Sequence, residues 1–140
     1  MDDIAKMKVL VCDDEALARM RLKRLVEMAN MEVSAEAASG REAVESAGRL
    51  RPDVVLMDIR MPDMDGLEAA AHLDKMENPP AVIFCTAYEE HALQAFRVHA
   101  VDYLLKPVGA QDLKRALDKA RALNRVRSEE HTSELQSRAY

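Results

Sequence analysis

The alternation of apolar and polar stretches divides the chain into five repeats of one pattern. Val54 to Met57 (VVLM) is an unbroken apolar run that stops at Asp58. A run without alternation fits a strand covered on both faces, as in a parallel sheet flanked by helices. Met7 to Cys12 (MKVLVC), Ala81 to Cys85 (AVIFC) and Val101 to Leu105 (VDYLL) read the same way, ending at Asp13, Thr86 and Lys106. Glu32 to Ala38 alternates weakly and carries two glutamates. It predicts an edge strand, where charge discourages pairing with another sheet.

Between these runs the spacing turns helical. Ala16 to Asn30 sets Ala18, Leu22, Leu25, Val26 and Ala29 on one stripe. Arg41 to Leu50 turns Ala43, Val44 and Ala47 inward, and Leu67 to Met76 turns Leu67, Ala70, Ala71 and Leu73 inward. Glu89 to Ala100 offers Ala92, Leu93, Phe96 and Val98 as its apolar side. Gln111 to Leu123 carries Leu113, Ala116, Leu117, Ala120 and Leu123. Five β-α units predict an open, doubly wound α/β sheet with right-handed crossovers. Strand order 2-1-3-4-5 puts the first and third strands together at the switch point, where such sheets hold their chemistry. Asp13, Asp14 and Asp58 would then converge, flanked by Thr86 and Lys106.

Composition narrows the class. With 140 residues, 49% of them hydrophobic, the chain can bury the core of one domain. A net charge of −5 argues against broad electrostatic capture of nucleic acid by this segment. No apolar run approaches the ~20 residues of a membrane span, and the opening MDDIAK has no secretory core. The expectation is a soluble, cytoplasmic domain. Cys12 and Cys85 would sit two strands apart, about 10 Å, too far for a disulfide. His91 and His99 lack the spacing of a metal site. The basic residues Arg19, Arg21, Lys23 and Arg24 read as a solvated helix face.

Three carboxylates at strand ends repel one another, and a divalent cation would offset that. Hard oxygen ligands suit Mg²⁺, which pairs with phosphate. Lysine and threonine can hold phosphoryl oxygens, and one carboxylate can attack phosphorus to form an acyl phosphate. The plainer alternative for Asp58 is a cap on its loop or on the next helix. No Walker loop or GxGxxG is present, so any phosphoryl group must come from elsewhere.

Taken in order, VLVCDDE at 9–15, LMDIRMPDMDG at 56–66, FCTA at 84–87 and YLLKP at 103–107 resemble the receiver domain of a two-component response regulator. DDEALARMRL and AFRVHAVDYLLKPV are most similar to the LytTR-output group, which includes alginate-type regulators. The resemblance implies a flavodoxin-like (βα)5 receiver over residues 1–125. It implies Asp58 as phosphoacceptor and Asp14 as direct Mg²⁺ ligand. Asp13 would be a ligand acting mainly through water, and Arg60 would offer its backbone carbonyl to the metal. Thr86 would be the switch hydroxyl, Tyr103 the aromatic that rotates with it, and Lys106 the phosphoryl-binding lysine before a cis Pro107. Ala87 matches a small residue that leaves the phosphoryl group accessible.

The same resemblance implies a sensor histidine kinase as phosphoryl donor and no turnover of substrate. It implies a homodimer through the helix 4, strand 5, helix 5 face, and DNA contact by an output domain absent from this chain. A stand-alone receiver acting by protein contact is the alternative. An aspartyl phosphatase is disfavoured, because the position two after Asp58 is Arg60 rather than an acid. Residues 126–140 are expected to be a disordered tail. Their RSEEHTSELQS also resembles the translation of a sequencing adapter, which would make the tail an artefact of a truncated gene record.

Overall fold

A computed structural model describes residues 6–138, with side chains described to residue 127. The elements alternate as β1 (Lys8–Cys12), α1 (Ala16–Met28), β2 (Glu32–Ala37), α2 (Gly40–Leu50), β3 (Val54–Met57) and α3 (Gly66–Asp74). β4 (Ala81–Thr86), a 3-10 turn (Glu89–His91), α4 (Ala92–Arg97), β5 (Asp102–Leu105) and α5 (Ala110–Arg138) complete the chain. All pairings are parallel, in the order β2-β1-β3-β4-β5, as the pattern predicts.

Alternate residues of the central strands feed two apolar layers. Val9, Val11, Val54, Leu56, Ile83 and Cys85 face α1 and α5, where Leu22, Val26, Leu113 and Leu117 are buried. Leu10, Val55, Met57, Val82 and Phe84 face the other side, against Ala43, Ala47, Ala70 and Leu73 of α2 and α3. Two covered faces explain why these strands read as continuous apolar runs. β2 is one of the two edge strands and only partly buried. Its Glu36 accepts from Arg19 at 3.2 Å and from Lys23 at 2.8 Å. Part of the basic side of α1 therefore pairs with the sheet edge while staying accessible to solvent. Cys12 and Cys85 are buried free thiols with β3 between their strands. Burial pushes both thiols up to about 12.

Three helices depart from expectation. In α3, Ala69 is buried and Ala71 only half-buried, so the inward stripe is Ala69, Ala70 and Leu73. The predicted helix over 89–100 is a 3-10 turn followed by a six-residue helix. Of its apolar residues only Ala95 is buried, while Leu93 and Phe96 are 61% and 79% exposed. The segment covers the outer part of the sheet beside short β5, where there is little surface to bury against. The last helix is not confined to 111–123 but runs from Ala110 to Arg138, across residues expected to be disordered. No proline or glycine stands between those ends to stop it.

Two glycines of different standing test how the site loop is held. A Cβ on Gly66 would lie 2.0 Å from the carbonyl oxygen of Asp58 and 2.9 Å from Cα of Ile59, both backbone atoms. The start of α3 is thus packed directly on the phosphoacceptor candidate's own peptide, and Gly66 N–H donates to the Ile59 carbonyl at 2.7 Å. Gly48, in α2, has nothing within 4 Å of the same position. Gly66→Ala should destabilise the domain by about 1–3 kcal/mol through overpacking. Gly48→Ala should stabilise it by about 0.5–1 kcal/mol through helix propensity. Urea denaturation of both variants checks the pair.

Candidate functional site

The backbone ladder continues one step past the ends of several strands, and that step seats the polar side chains. Asp13 N–H donates to Ala37 of β2 at 3.1 Å, Asp58 N–H to Cys12 of β1 at 3.0 Å, and Lys106 N–H to Thr86 of β4 at 2.8 Å. Each residue is therefore fixed by the neighbouring strand before its side chain makes any contact. Carboxylate oxygens of Asp13, Asp14 and Asp58 come within 4.8 Å of one another. Among the described residues this is the one grouping of acids, histidines or cysteines close enough to share a metal ion. His91 and His99 take no part in such a group.

Lys106 ties the acids together. Its Nζ donates to Asp13 Oδ2 at 2.7 Å and to Asp58 Oδ2 at 3.2 Å. The remaining oxygens are also occupied. Asp13 Oδ1 accepts from Glu15 N–H at 2.9 Å, and Asp58 Oδ1 from Ile59 N–H at 2.8 Å. Asp14 is exposed, and among the described residues its carboxylate has no hydrogen-bond partner. The helix-capping alternative for Asp58 falls away, because Asp65 caps α3 by accepting from Glu68 N–H at 2.8 Å.

The charges are unevenly settled. Burial and the charge of Asp13 raise the carboxyl of Asp58, against the opposing pull of Lys106. Burial lowers the ammonium of Lys106, but its bond to Asp13 and the two nearby negative charges outweigh that and leave it raised. Lys106 is thus a firm cation secured chiefly by Asp13, and Asp58 is the carboxylate left short of compensation. Asp58 is 7% exposed, so it is shielded but not sealed. Hard oxygen donors with an uncompensated negative charge fit a small divalent cation.

The other predicted residues lie around this pocket. Thr86 is fully buried at the end of β4, and its Oγ1 accepts from Tyr88 N–H at 3.3 Å. Tyr103 is on β5, its ring 6.3 Å from that of Phe84 and its hydroxyl donating to the carbonyl of Tyr88. The Lys106–Pro107 bond is cis. Ala87 is exposed. The side chain of Arg60 bonds to none of the three aspartates among the described residues. Its guanidinium lies 3.6 Å from the centre of the Tyr88 ring and donates to Glu90 at 3.0 Å. Sequence reading missed Tyr88 and Glu90. The available signal was that Arg60 and Tyr88 each lie two residues beyond a site residue on neighbouring strands.

An open parallel sheet with an acidic triad and a bridging lysine at its switch point belongs to the doubly wound α/β class that binds its ligands there. The response regulator receiver domain matches residues 9–118, and the chain belongs to that family. It is 54% identical over 122 residues to the positive alginate biosynthesis regulatory protein of Pseudomonas aeruginosa, covering 86% of this chain and 49% of that one. It is 47% identical over 114 residues to the sensory transduction protein LytT of Bacillus cereus, covering 81% and 46%. The chain thus spans about half the length of these relatives. The response regulatory domain of MrkE from Klebsiella pneumoniae superimposes with a TM-score of 0.78 at 30% identity, covering 85% of this chain and 98% of that one. The response regulator domain of CheB from Thermotoga maritima gives 0.75 at 36%, covering 86% and 98%. No helix among the described residues is long and apolar enough to cross a membrane.

The raised carboxyl of Asp58 has a consequence for stability. Its favourable contribution is fully present below the ordinary carboxyl value of 3.8 and is lost as pH rises through the raised folded value. At neutral pH the ionised group therefore costs stability. Asp58→Asn should unfold at higher urea than the parent at pH 7, and the gap should shrink toward about pH 4. Paired denaturation curves at the two pH values check the sign.

Proposed function

We propose that this chain is a phosphorylation-dependent signalling switch in which Asp58 accepts a phosphoryl group from a phosphohistidine of a sensor histidine kinase. The observation that carries the reading is the lysine bridge, with Lys106 Nζ within 3.2 Å of Asp58 and 2.7 Å of Asp13 beside an unpartnered Asp14. A carboxylate oxygen of Asp58 attacks phosphorus. The phosphorus–nitrogen bond breaks, its electron pair stays on the imidazole, and that nitrogen takes up a proton. The product is an acyl phosphate. Lys106 then holds a phosphoryl oxygen, and Thr86 offers its hydroxyl to another. Mg²⁺, held by Asp13, Asp14, Asp58 and the Arg60 carbonyl, would neutralise charge on the transferring group. Ala87, small and exposed, leaves the approach open.

The added charge favours the state in which Thr86 and Lys106 turn toward it, and Tyr103 follows Thr86. The face formed by α4, β5 and α5 changes with them. Leu93, Phe96 and Leu105 are exposed there at 61%, 79% and 45%, which supports homodimerisation through this face. The likeness to full-length regulators supports transcriptional control through a DNA-binding output domain outside this chain, in the cytoplasm. A receiver acting by protein contact alone is the second reading. The receiver is assigned to residues 1–125, with 126–140 foreign to the gene; sequencing the locus through this point tests that boundary.

Incubation with acetyl phosphate and Mg²⁺ should add the mass of one phosphoryl group to the wild-type chain and none to Asp58→Ala. Equal incorporation in the two proteins removes Asp58 from the role. Millimolar Mg²⁺ alone should raise the urea midpoint of the wild type by linkage, and Asp14→Asn should lose most of that rise. An unchanged response in Asp14→Asn would exclude Asp14 as a ligand.

A further inference from the structure

α1 carries Arg19, Arg21, Lys23 and Arg24, and of these Arg19 alone bonds the candidate metal site among the described residues. Its Nη1 donates to the carbonyl of Asp13 at 2.7 Å, and its Nε donates to Glu36 of β2 at 3.2 Å. Lys23 donates to the same Glu36 at 2.8 Å without touching Asp13. Asp13 is fully buried, so its carbonyl needs an internal donor, and the charged guanidinium is a strong one. We propose that Arg19, braced by Glu36, is a positioning residue for the metal site and acts through the Asp13–Asp14 peptide. The proposal rests on the reading of Asp13, Asp14 and Asp58 as Mg²⁺ ligands.

The carbonyl of Asp13 and the N–H of Asp14 belong to one planar peptide. A bond to that carbonyl therefore helps fix the plane from which the Asp14 side chain springs. The Asp13 side chain has ties of its own, to Glu15 N–H at 2.9 Å and to Lys106 at 2.7 Å. Asp14 has none: it is exposed, and its carboxylate is unpartnered among the described residues. Its aim comes from the backbone alone, and Arg19 is the side chain that grips that backbone. Arginine suits the task because its planar fork serves two acceptors in fixed directions. Here they are a strand-end carbonyl and a carboxylate on the edge strand. By Coulomb's law alone, removing a positive charge eases the binding of a nearby cation. Removing an outer partner that orients a ligand weakens metal binding, by about ten-fold or more. The two effects have opposite signs, so the direction of change separates positioning from bulk electrostatics.

The probe is Mg²⁺ alone, titrated into the isotopically labelled full chain and followed by amide NMR, with urea midpoints in metal-free buffer to confirm folding. Arg19→Ala should bind Mg²⁺ about ten-fold more weakly than wild type. Arg19→Met, which keeps the packing of the apolar stem, should show the same loss if Arg19→Ala is too unstable to titrate. In both variants the Asp14 amide resonance should be displaced before any metal is added. Lys23→Ala removes the same charge from the same helix and one bond to Glu36. It should bind Mg²⁺ at least as tightly as wild type and leave the Asp14 amide in place. Wild-type or tighter affinity in the folded Arg19 variants, an undisplaced Asp14 amide in them, or an equal loss in Lys23→Ala overturns the positioning role and leaves the metal site standing. A wild-type chain whose amides do not respond to Mg²⁺ overturns both.

Discussion

One cation holds three strands' chemistry in place. Lys106 leaves the end of β5 and reaches Asp13 at the end of β1 and Asp58 at the end of β3. Without that charge the pocket would bring three carboxylates within 4.8 Å of one another, an arrangement that raises pKa values and opposes folding. The bridge is incomplete by design of its geometry: Asp13 takes the shorter bond and Asp58 the longer. The carboxylate proposed to react is thus the less satisfied one.

The sheet makes this possible. Side chains 93 and 48 residues apart in sequence touch because parallel strands in the order β2-β1-β3-β4-β5 end at one edge. Each seat is cut by a backbone bond to the adjacent strand, and Gly66 lets α3 close directly on the Asp58 peptide. A rigid floor of buried Val, Leu and Ile lies beneath. The least buried part lies at the outer edge, where β5 is short and α4 buries a single alanine.

The strands were legible because burial on both faces leaves continuous apolar runs, and Val54 to Met57 matches β3 residue for residue. Much of the candidate site was legible because several of its side chains close such runs. Asp13, Thr86 and Lys106 stand where apolar sequence stops, and the fold does the rest. The 89–100 segment was not legible. Leu93 and Phe96 have helical spacing, but periodicity reports amphipathic character and not which face is covered. Their exposure follows from tertiary placement beside a short edge strand. The contacts of Tyr88 with Arg60 and Tyr103 were invisible for a related reason: no local pattern encodes them. The run of α5 past Leu123 reflects the absence of any breaker, a weaker signal than a cap.

The chemistry of the reacting carboxylate can be read directly by trapping. An acyl phosphate on an aspartate is reduced by borohydride to homoserine, and peptide sequencing then locates the converted residue. After exposure to a small phosphodonor and Mg²⁺, homoserine is expected at position 58 and at no other. Conversion at position 13 or 14, or a phosphorylated chain that yields no homoserine, would contradict the account.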